Sequence, residues 1–340
     1  MRIVEVEPQP DVFAAVMATG ILSVAAANHH YLQISVAMAV LASLGLVVLV
    51  TLVIVTRRFA HWDLNDPDVT LRLFTFVVAC TVLGVRLESQ PVLVCALGAV
   101  ALASWLVLIV LNARNMLARR WPELRDGAHG AWELASVGTC GLAIVATSVG
   151  RNTPARWCLA AAVSLWVAAL CIYGLMTWLI LWRAVAQRHN PVQEREVFAP
   201  DAWILMGGLV IATLAGAKIH SLAPAWLGGP VLVVTVATGV AATLWIPPLI
   251  YFCLQHIAAR PGTLRFAGAW WAFVFPLAMY SAASYALATE IGWQSLITVS
   301  LVFFWDALVA WLIVAGAGLL RVTRRRGASL SSVRTKSDAG

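Results

Sequence analysis

A few ionisable side chains lie inside or beside the long apolar runs of this chain, where they could do chemistry. Asp306 lies near the middle of the last run, and a carboxyl group at that depth is a candidate proton carrier. It could also be a structural group that is protonated or hydrogen-bonded to a neighbouring helix. Glu133 lies at the start of another run, where an acid suits the helix dipole. Lys218 and His220 end a third run, where they could attract anions or reach the membrane interface by snorkelling.

Motifs for enzymatic or metal chemistry are missing from the sequence. It contains no H-E-x-x-H, no pair of aspartates at membrane depth and no G-x-x-x-x-G-K-[ST]. The six cysteines lie in or beside apolar runs without a C-x-x-C spacing. His29 and His30 form a turn with no third ligand, and Arg86 and Glu88 are expected to pair at the surface. We therefore expect no enzyme, no cofactor and no metal.

The composition identifies the solvent that the protein surface must meet. The chain of 340 residues is 61% hydrophobic and 11% charged, with a mean hydropathy of +0.85. A soluble domain carries about 25% charged residues because its surface meets water. These values exclude a soluble enzyme, a nucleic-acid-binding module and a disordered chain, and they predict a polytopic membrane protein in a lipid bilayer. The net charge of +7 is concentrated in the tail at 321–340, which suits anionic lipid.

Ten stretches are long enough to cross a bilayer as helices, since about 20 residues span its hydrocarbon core. The gaps after odd-numbered stretches are mostly short, and the other gaps are longer and charged, which predicts five helical hairpins. We expect an all-α fold with an N-terminal segment at 1–9, a membrane domain at 10–320 and a basic tail at 321–340. The expected spans are 10–29, 32–56, 70–88, 91–112, 131–149, 157–183, 200–220, 229–253, 266–291 and 294–320.

Basic residues are distributed unevenly between the two sides of these spans. With this topology, 19 Lys and Arg residues fall on the side of both termini and 4 on the other. Loops rich in Lys and Arg stay in the cytoplasm. We therefore expect a multi-pass protein of the plasma (inner) membrane with both termini cytoplasmic, which requires an even number of spans.

Polar and small residues are concentrated in the odd-numbered spans, whereas the even-numbered spans are rich in Leu, Val, Ile and Ala. Such residues either let helices pack closely or line a wet pathway. The alternation as a whole predicts five odd helices around a central pore and five even helices facing lipid. No Lys or Arg lies in the middle of an odd span, so hydroxyls and backbone N–H groups would have to stabilise an anion.

The ninth span contains the sharpest local pattern. Pro276 removes a helical hydrogen bond and should kink this helix. Phe275 precedes it, on the same helical face as Gly268, Trp271, Ala278 and Ala282. A ring among small residues could plug a narrow tube, or it could be ordinary packing.

Two segments carry a family resemblance. Residues 270–276 read WWAFVFP, and residues 13–23 read FAAVMATGILS. Together these strings resemble the tellurite-resistance/dicarboxylate transporter family, which includes bacterial tellurite-resistance protein A, fungal malate permeases and sulfite pumps, and plant slow guard-cell anion channels. The resemblance implies a homotrimer in which each protomer has its own pore, and a gate formed by Phe275 beside Pro276. Ala18 stands where many relatives have Gly, which keeps the position small.

The function expected from these observations is membrane transport of small anions: a C4-dicarboxylate such as malate, sulfite or tellurite-related anions, or inorganic anions. One alternative is a proton-coupled dicarboxylate carrier that uses Asp306, and another is a non-transporting membrane subunit or sensor. The candidate pore-lining residues, taken from the odd spans and the resemblance, are Phe13, Thr19, Gly20, Ser23, Thr81, Gly138, Thr139, Gly208, Gly268, Trp271, Ala278 and Ala282.

Overall fold

The computed structural model describes residues 10–56, 62–152, 156–187, 200–259 and 270–337. These residues form an all-α polytopic membrane protein. Short 3-10 turns at Gly130–Glu133 and Pro200–Ala202 each lie directly before a helix. The helices are α1 (Ala14–Asn28), α2 (Leu32–Val55), α3 (Pro67–Arg72), α4 (Phe74–Arg86), α5 (Pro91–Leu117), α6 (Trp121–Gly127), α7 (Leu134–Asn152), α8 (Arg156–Gln187), α9 (Trp203–His220), α10 (Ala225–Ala259), α11 (Trp271–Ile291) and α12 (Gln294–Ser337).

The membrane-crossing helices agree in position with the expected spans. Within the described ranges, nine helical segments are long and apolar enough to cross a bilayer, with α3 and α4 forming one of them. The shorter apolar helix α1 precedes these nine, where the first span was expected. Residues 266–269 of the expected ninth span lie outside the described residues.

Local sequence signals set several helix ends. Asp66 caps α3 by accepting a hydrogen bond from the Asp68 backbone N–H at 3.1 Å, and Pro67 fills the first helical position. Gly292 ends α11 in the left-handed conformation with φ of 70°, which glycine adopts without strain. This turn reverses the chain into α12. Such turns place each odd span beside the even span that follows it.

The five odd spans form a closed inner ring. Around this ring, α1 packs on α4, α4 on α7, α7 on α9, α9 on α11, and α11 returns to α1. Each inner helix also packs on the helix that follows it, so that α2, α5, α8, α10 and α12 form an outer ring. The hairpin turns lie at one end of the bundle, which we call the hairpin end. The opposite end, where α1 begins, is called the terminal end.

Burial separates the two rings sharply. Between 67% and 89% of the apolar window is buried in each inner span of full length, against 17–22% in each outer span. The outer helices expose Leu, Val and Ile side chains that suit lipid contact. The polarity alternation in the sequence therefore corresponds to an inner and an outer layer.

Tryptophans of the outer ring donate hydrogen bonds to the inner ring. The indole Nε1 of Trp105 on α5 donates to Thr139 Oγ1 on α7 at 2.8 Å. Trp166 on α8 donates to the Ala212 carbonyl on α9 at 2.8 Å, and Trp311 on α12 donates to Thr19 Oγ1 on α1 at 2.9 Å. Each bond satisfies an indole N–H that would otherwise face hydrocarbon, and together they fix the register between the two rings.

Candidate functional site

A cavity lies at the centre of the inner ring, and all five inner helices contribute to its wall. Its lining is almost entirely apolar, and Thr81 is its polar member. The hydroxyl of Thr81 donates to the Val78 carbonyl of its own helix at 3.0 Å. The wall consists of Ile21, Val24, Thr81, Val82, Val85, Gly141, Ile144, Ile211, Leu214 and Met279.

Phe275 lies one helical turn from this cavity, on the terminal side. Met279, which lines the cavity, follows Phe275 by four residues on α11, which is about 6 Å along the axis. Ile211 follows Gly207 by the same interval on α9. Phe275 is fully buried, and a β-carbon added at Gly207 would lie 3.8 Å from its Cε1. The ring thus sits inside the bundle, at the level where α9 presents a glycine.

The small candidate pore residues pack tightly against neighbouring helices. A β-carbon at Gly20 would lie 3.0 Å from Val82 Cγ1, and one at Gly138 would lie 3.0 Å from Phe74 Cδ1, both on α4. Gly208 faces the ring of Tyr173 on α8. Ala278 and Ala282 are buried on α11. The candidate Gly268 lies outside the described residues.

The two bulky aromatic candidates lie nearer the terminal end. Phe13 packs edge-on against Phe76 with ring centroids 5.0 Å apart, and Trp271 packs against Trp311 at 6.3 Å. Both rings lie at the start of an inner helix, and each contacts another aromatic residue. Their role as pore lining stays a prediction.

The hydroxyl candidates bond to the outer ring. Thr19 and Thr139 accept from Trp311 and Trp105, as described above. Ser23 Oγ donates to the Ser35 carbonyl on α2 at 2.7 Å. These three hydroxyls thus join the rings to each other in this structure, and Thr81 is the hydroxyl candidate that reaches the cavity. That the other three also line a pathway stays a prediction.

Glu133 is fully buried in the 3-10 turn before α7. Its Oε1 accepts from Thr177 Oγ1 on α8 at 2.7 Å. Its Oε2 lies beside Gly208 and has no hydrogen-bond partner among the described residues. A buried carboxylate without such partners is costly, so this position is more than a helix-dipole acid.

Unpartnered polar atoms are concentrated in the terminal half of the bundle. They come from the starts of α7 and α9 and from the part of α8 that packs there. Such atoms are the places where water or a polar ligand would find partners. Among the described residues they belong to Trp132, Glu133, Ser136, Tyr173, Asp201 and Trp203.

Five charged residues form a continuous chain of contacts at the terminal end, which we call the terminal charge cluster. Arg72 contacts Asp11 at 3.5 Å through Nη1 and Asp68 at 3.0 Å through Nε. His129 contacts Asp68 at 2.5 Å through Nε2 and Asp201 at 2.7 Å through Nδ1. The cluster therefore connects the starts of four successive odd spans, because Asp11, Asp68, His129 and Asp201 precede or open α1, α3, α7 and α9.

Charge pairing controls the protonation of this cluster. Burial opposes a charge on His129, but hydrogen bonds to Asp201 and Asp68 outweigh it and raise the pKa of His129 to about 9. Burial likewise opposes the charge on Asp201, but its hydrogen bond to His129 lowers the pKa of this carboxyl. For Asp11, burial outweighs the nearby Arg72 and raises the pKa. At neutral pH His129 is therefore an imidazolium between two carboxylates.

At the hairpin end, charges also come from several inner helices. Arg151 contacts Glu88 at 3.1 Å, and His220 Nδ1 contacts Glu290 Oε2 at 2.6 Å. The expected pairing of Arg86 with Glu88 is wrong, because Arg86 Nε donates to Ser23 Oγ at 2.8 Å. The packing of α4 against α7 in the inner ring brings Arg151 to Glu88 instead, although the two residues are far apart in sequence.

Asp306 lies on the outward face of the outer ring of helices, whereas His29 lies where the inner ring meets the outer ring. Asp306 is exposed on the outward face of α12, between the exposed Trp305 and the buried Ala307. His29 Nε2 lies 2.8 Å from Ser300 Oγ, which joins the end of α1 to α12. Among the described residues no group of three potential metal ligands is found.

Sequence reasoning missed the terminal charge cluster and most of the cavity wall. An acid stands within a few residues of the start of the first, third and seventh spans, and His129 precedes the fifth. That repeated position was the available signal for the cluster. For the cavity wall, spacings such as Ile21 to Val24 and Ile211 to Leu214 mark one helical face, but apolar residues do not by themselves indicate a pathway.

Comparison with known proteins identifies the family. The sequence model of a protein family described as "voltage-dependent anion channel" matches residues 8–319, which is nearly the whole chain. The chain belongs to the voltage-dependent anion channel family. Its members are channels and transporters rather than enzymes, so membership implies an anion channel or transporter function in a membrane.

Two curated relatives agree with a membrane location. Each is an uncharacterized membrane protein of Mycobacterium tuberculosis, from one of two strains. Each is 31% identical over 139 residues, which cover 38% of this chain and 68% of the relative. The chain is thus similar, over part of its length, to a bacterial membrane protein.

Proposed function

We propose that this chain conducts small anions through the centre of its inner ring and that Phe275 closes the pathway. The observation that carries the proposal is the cavity whose wall comes from all five inner helices, together with the fully buried Phe275 one helical turn before Met279 of that wall. A path enclosed by five helices avoids lipid, and a ring across it excludes water and ions.

The pathway would stabilise anions without fixed charge along its length. Apart from Arg72 of the terminal charge cluster, the described parts of the inner helices carry Arg or Lys only near the hairpin end, at Arg86, Arg151 and Lys218. Between these cations and the terminal charge cluster, an anion would meet backbone dipoles, Thr81 and apolar wall. Selectivity would then depend on the cost of dehydration and on pore width. Weakly hydrated anions should pass more readily than strongly hydrated ones of equal size.

Opening would require the Phe275 ring to leave the axis. Pro276 removes the backbone N–H that would bond to the Ala272 carbonyl, so the helix is locally less restrained at this turn. A change of side-chain rotamer is a fast local motion. We propose this swing, rather than movement of whole helices, as the gating step.

The finer assignments belong to the same proposal. The substrates would be malate or another C4-dicarboxylate, sulfite or tellurite-related anions, or inorganic anions. The excess of basic residues on the side of the termini supports cytoplasmic ends in the plasma membrane. The membrane domain would be 10–320 between a short N-terminal segment and a basic tail, and the assembly would be a homotrimer with one pore in each protomer.

The decisive experiment measures anion flux from proteoliposomes containing wild-type protein or Phe275→Ala. We expect flux of at least one of malate, succinate, sulfite, nitrate and chloride to rise strongly in the variant. Phe273→Ala is the matched control, because Phe273 lies two residues away but packs on Trp203 with ring centroids 4.7 Å apart. Equal flux from wild-type and Phe275→Ala vesicles, with both proteins folded, would refute the gate.

A pH gradient across the same vesicles separates a channel from a proton-coupled carrier. Asp306 lies on the outward face of an outer helix, away from the cavity, so we expect no gradient-driven malate accumulation that depends on it. Asp306→Asn should therefore leave flux unchanged. Accumulation that this substitution abolishes would instead establish the carrier.

A further inference from the structure

His129 is the central member of the terminal charge cluster. Its two ring nitrogens contact carboxylates on different inner spans, Asp68 at 2.5 Å and Asp201 at 2.7 Å. The backbone N–H of Ala131, two residues later, donates to Asp201 Oδ2 at 3.4 Å. The segment that opens α7 is thus tied on one side to α3 and on the other to the start of α9.

With both carboxylates ionised, the two contacts require a doubly protonated ring. Neutral imidazole has one N–H and can donate to one carboxylate, whereas imidazolium donates from both nitrogens. After loss of the proton, one ring nitrogen would face a carboxylate with its lone pair. The tie to that span would then be replaced by repulsion.

We propose that His129 is a positioning residue for anion transport: its imidazolium holds the starts of α3 and α9 to α7 and so sets the width and the charge of the terminal mouth of the pore. This inference rests on the proposed anion conduction. It adds a site of pH control that is independent of the Phe275 gate.

The charges around His129 determine the sign of this control. Asp68 and Arg72 face it from α3, and Asp201 faces it from the turn before α9. Asp11 adds a charge from the start of α1, through Arg72.

Two further basic groups belong to neighbouring elements. Arg125 of α6 is paired with Asp126 beside it. Arg183 of α8 donates to the Ala128 carbonyl at 2.8 Å, one residue before His129. With His129 charged, the three acids of the terminal charge cluster face two cations; without its proton, they face one. The mouth then becomes more negative, so anion flux should fall.

The test measures anion flux with equal pH on both sides of the vesicles, in a Phe275→Ala background so that the gate does not limit the signal. As the pH rises from about 7 to about 10, flux should fall about tenfold, because under this proposal the mouth of the pore loses one positive charge. The midpoint should lie near pH 9, the value to which the pKa of His129 is raised. Nitrate and chloride are the probes, because their charge does not change over this range.

Three substitutions separate positioning from a general structural role. His129→Arg keeps a cation with several donors and should remove the pH dependence while keeping high flux. If the larger Arg side chain impairs folding, His129→Lys serves the same purpose up to about pH 9, because lysine ordinarily titrates at about 10.4. His129→Gln should show low flux already at neutral pH, about tenfold below its background. His30→Asn is the matched control, since His30 is an exposed histidine at the hairpin end.

The outcomes are distinguishable. Identical pH profiles for His129, His129→Arg and His129→Lys proteins would overturn this inference alone. An imidazole NMR signal of His129 that titrates near pH 6.5, the ordinary pKa of histidine, would also overturn it. Absence of flux from wild-type and Phe275→Ala vesicles alike would overturn the proposed function, and this inference with it.

Discussion

The ring of Phe275 rests against Gly207 on the neighbouring inner helix. A β-carbon at residue 207 would lie 3.8 Å from Cε1 of Phe275 and 3.2 Å from Cγ of Pro276. The second distance is tighter than ordinary van der Waals contact, so the absence of a side chain lets α9 approach the kinked turn of α11. The position of the aromatic ring is therefore set jointly by Pro276 behind it and by the glycine beside it.

Gly207→Val should raise basal anion flux, because the added methyl groups push on Pro276 and displace the Phe275 ring. Overpacking of this kind costs about 1–3 kcal/mol of stability. Gly174→Val is the matched control, since a β-carbon there meets nothing within 4 Å. In a Phe275→Ala background, Gly207→Val should add no further flux. An additive increase would mean that the glycine acts elsewhere.

Thr139→Val should lower the free energy of unfolding by about 1–3 kcal/mol, because it leaves the partly buried indole N–H of Trp105 without an acceptor. Trp105→Phe removes the donor, and in that background Thr139→Val should cost much less. A double-mutant cycle followed by thermal unfolding in detergent measures the coupling. Purely additive effects would contradict the hydrogen bond between the rings.

Glu133→Gln should leave the free energy of unfolding at neutral pH within about 1 kcal/mol of wild type or raise it. The amide keeps an oxygen to accept from Thr177 and requires no buried charge. Thr177→Val, which removes the donor, should destabilise the protein. A loss of several kcal/mol in the glutamine variant would show that an ionised Glu133 is needed.

The His129–Asp201 pair should make stability depend on pH at both extremes. The pKa of His129 is raised, so its contribution is present below its ordinary value of 6.5 and is lost as pH rises through about 9. The pKa of Asp201 is lowered, so its contribution is present above 3.8 and is lost as pH falls through its value in the folded protein. Asp201→Asn should flatten both limbs of a plot of melting temperature against pH. Unchanged limbs would show that other groups dominate.

Lys218→Gln should reduce anion flux, and the reduction should shrink at high salt, because the half-buried ammonium lies at the hairpin end near Arg151. Lys218→Arg should retain most of the flux. Measurement at two ionic strengths distinguishes attraction at the mouth from damage to the fold, which salt would not reverse.

The sequence predicted the two layers well because polarity must match lipid or protein over a whole helix. Every inner span has small or polar residues, and every outer span has long apolar runs. The direction of an individual hydroxyl was less predictable. The hydroxyls of Thr19 and Thr139 each accept a hydrogen bond from a tryptophan on another helix. The sequence of their own spans does not indicate those partners.

The terminal charge cluster escaped prediction for a related reason. Asp68, His129 and Asp201 are separated by 61 and 72 positions in the chain. Only closure of the ring brings them into contact, and each taken alone is an ordinary charged residue near a helix start. The contact is a consequence of topology that a single sequence does not display.

The three hydrogen bonds donated by the indole groups of Trp105, Trp166 and Trp311 connect the outer ring of helices to the inner ring. Moving the inner helices outward to widen the pore would strain all three hydrogen bonds, and the hydrocarbon core of the bilayer offers no replacement acceptor. Turning one phenyl group strains none of them. The helix bundle should therefore stay rigid while the Phe275 side chain moves. Anion flux should then respond more to a substitution at this one residue than to membrane tension.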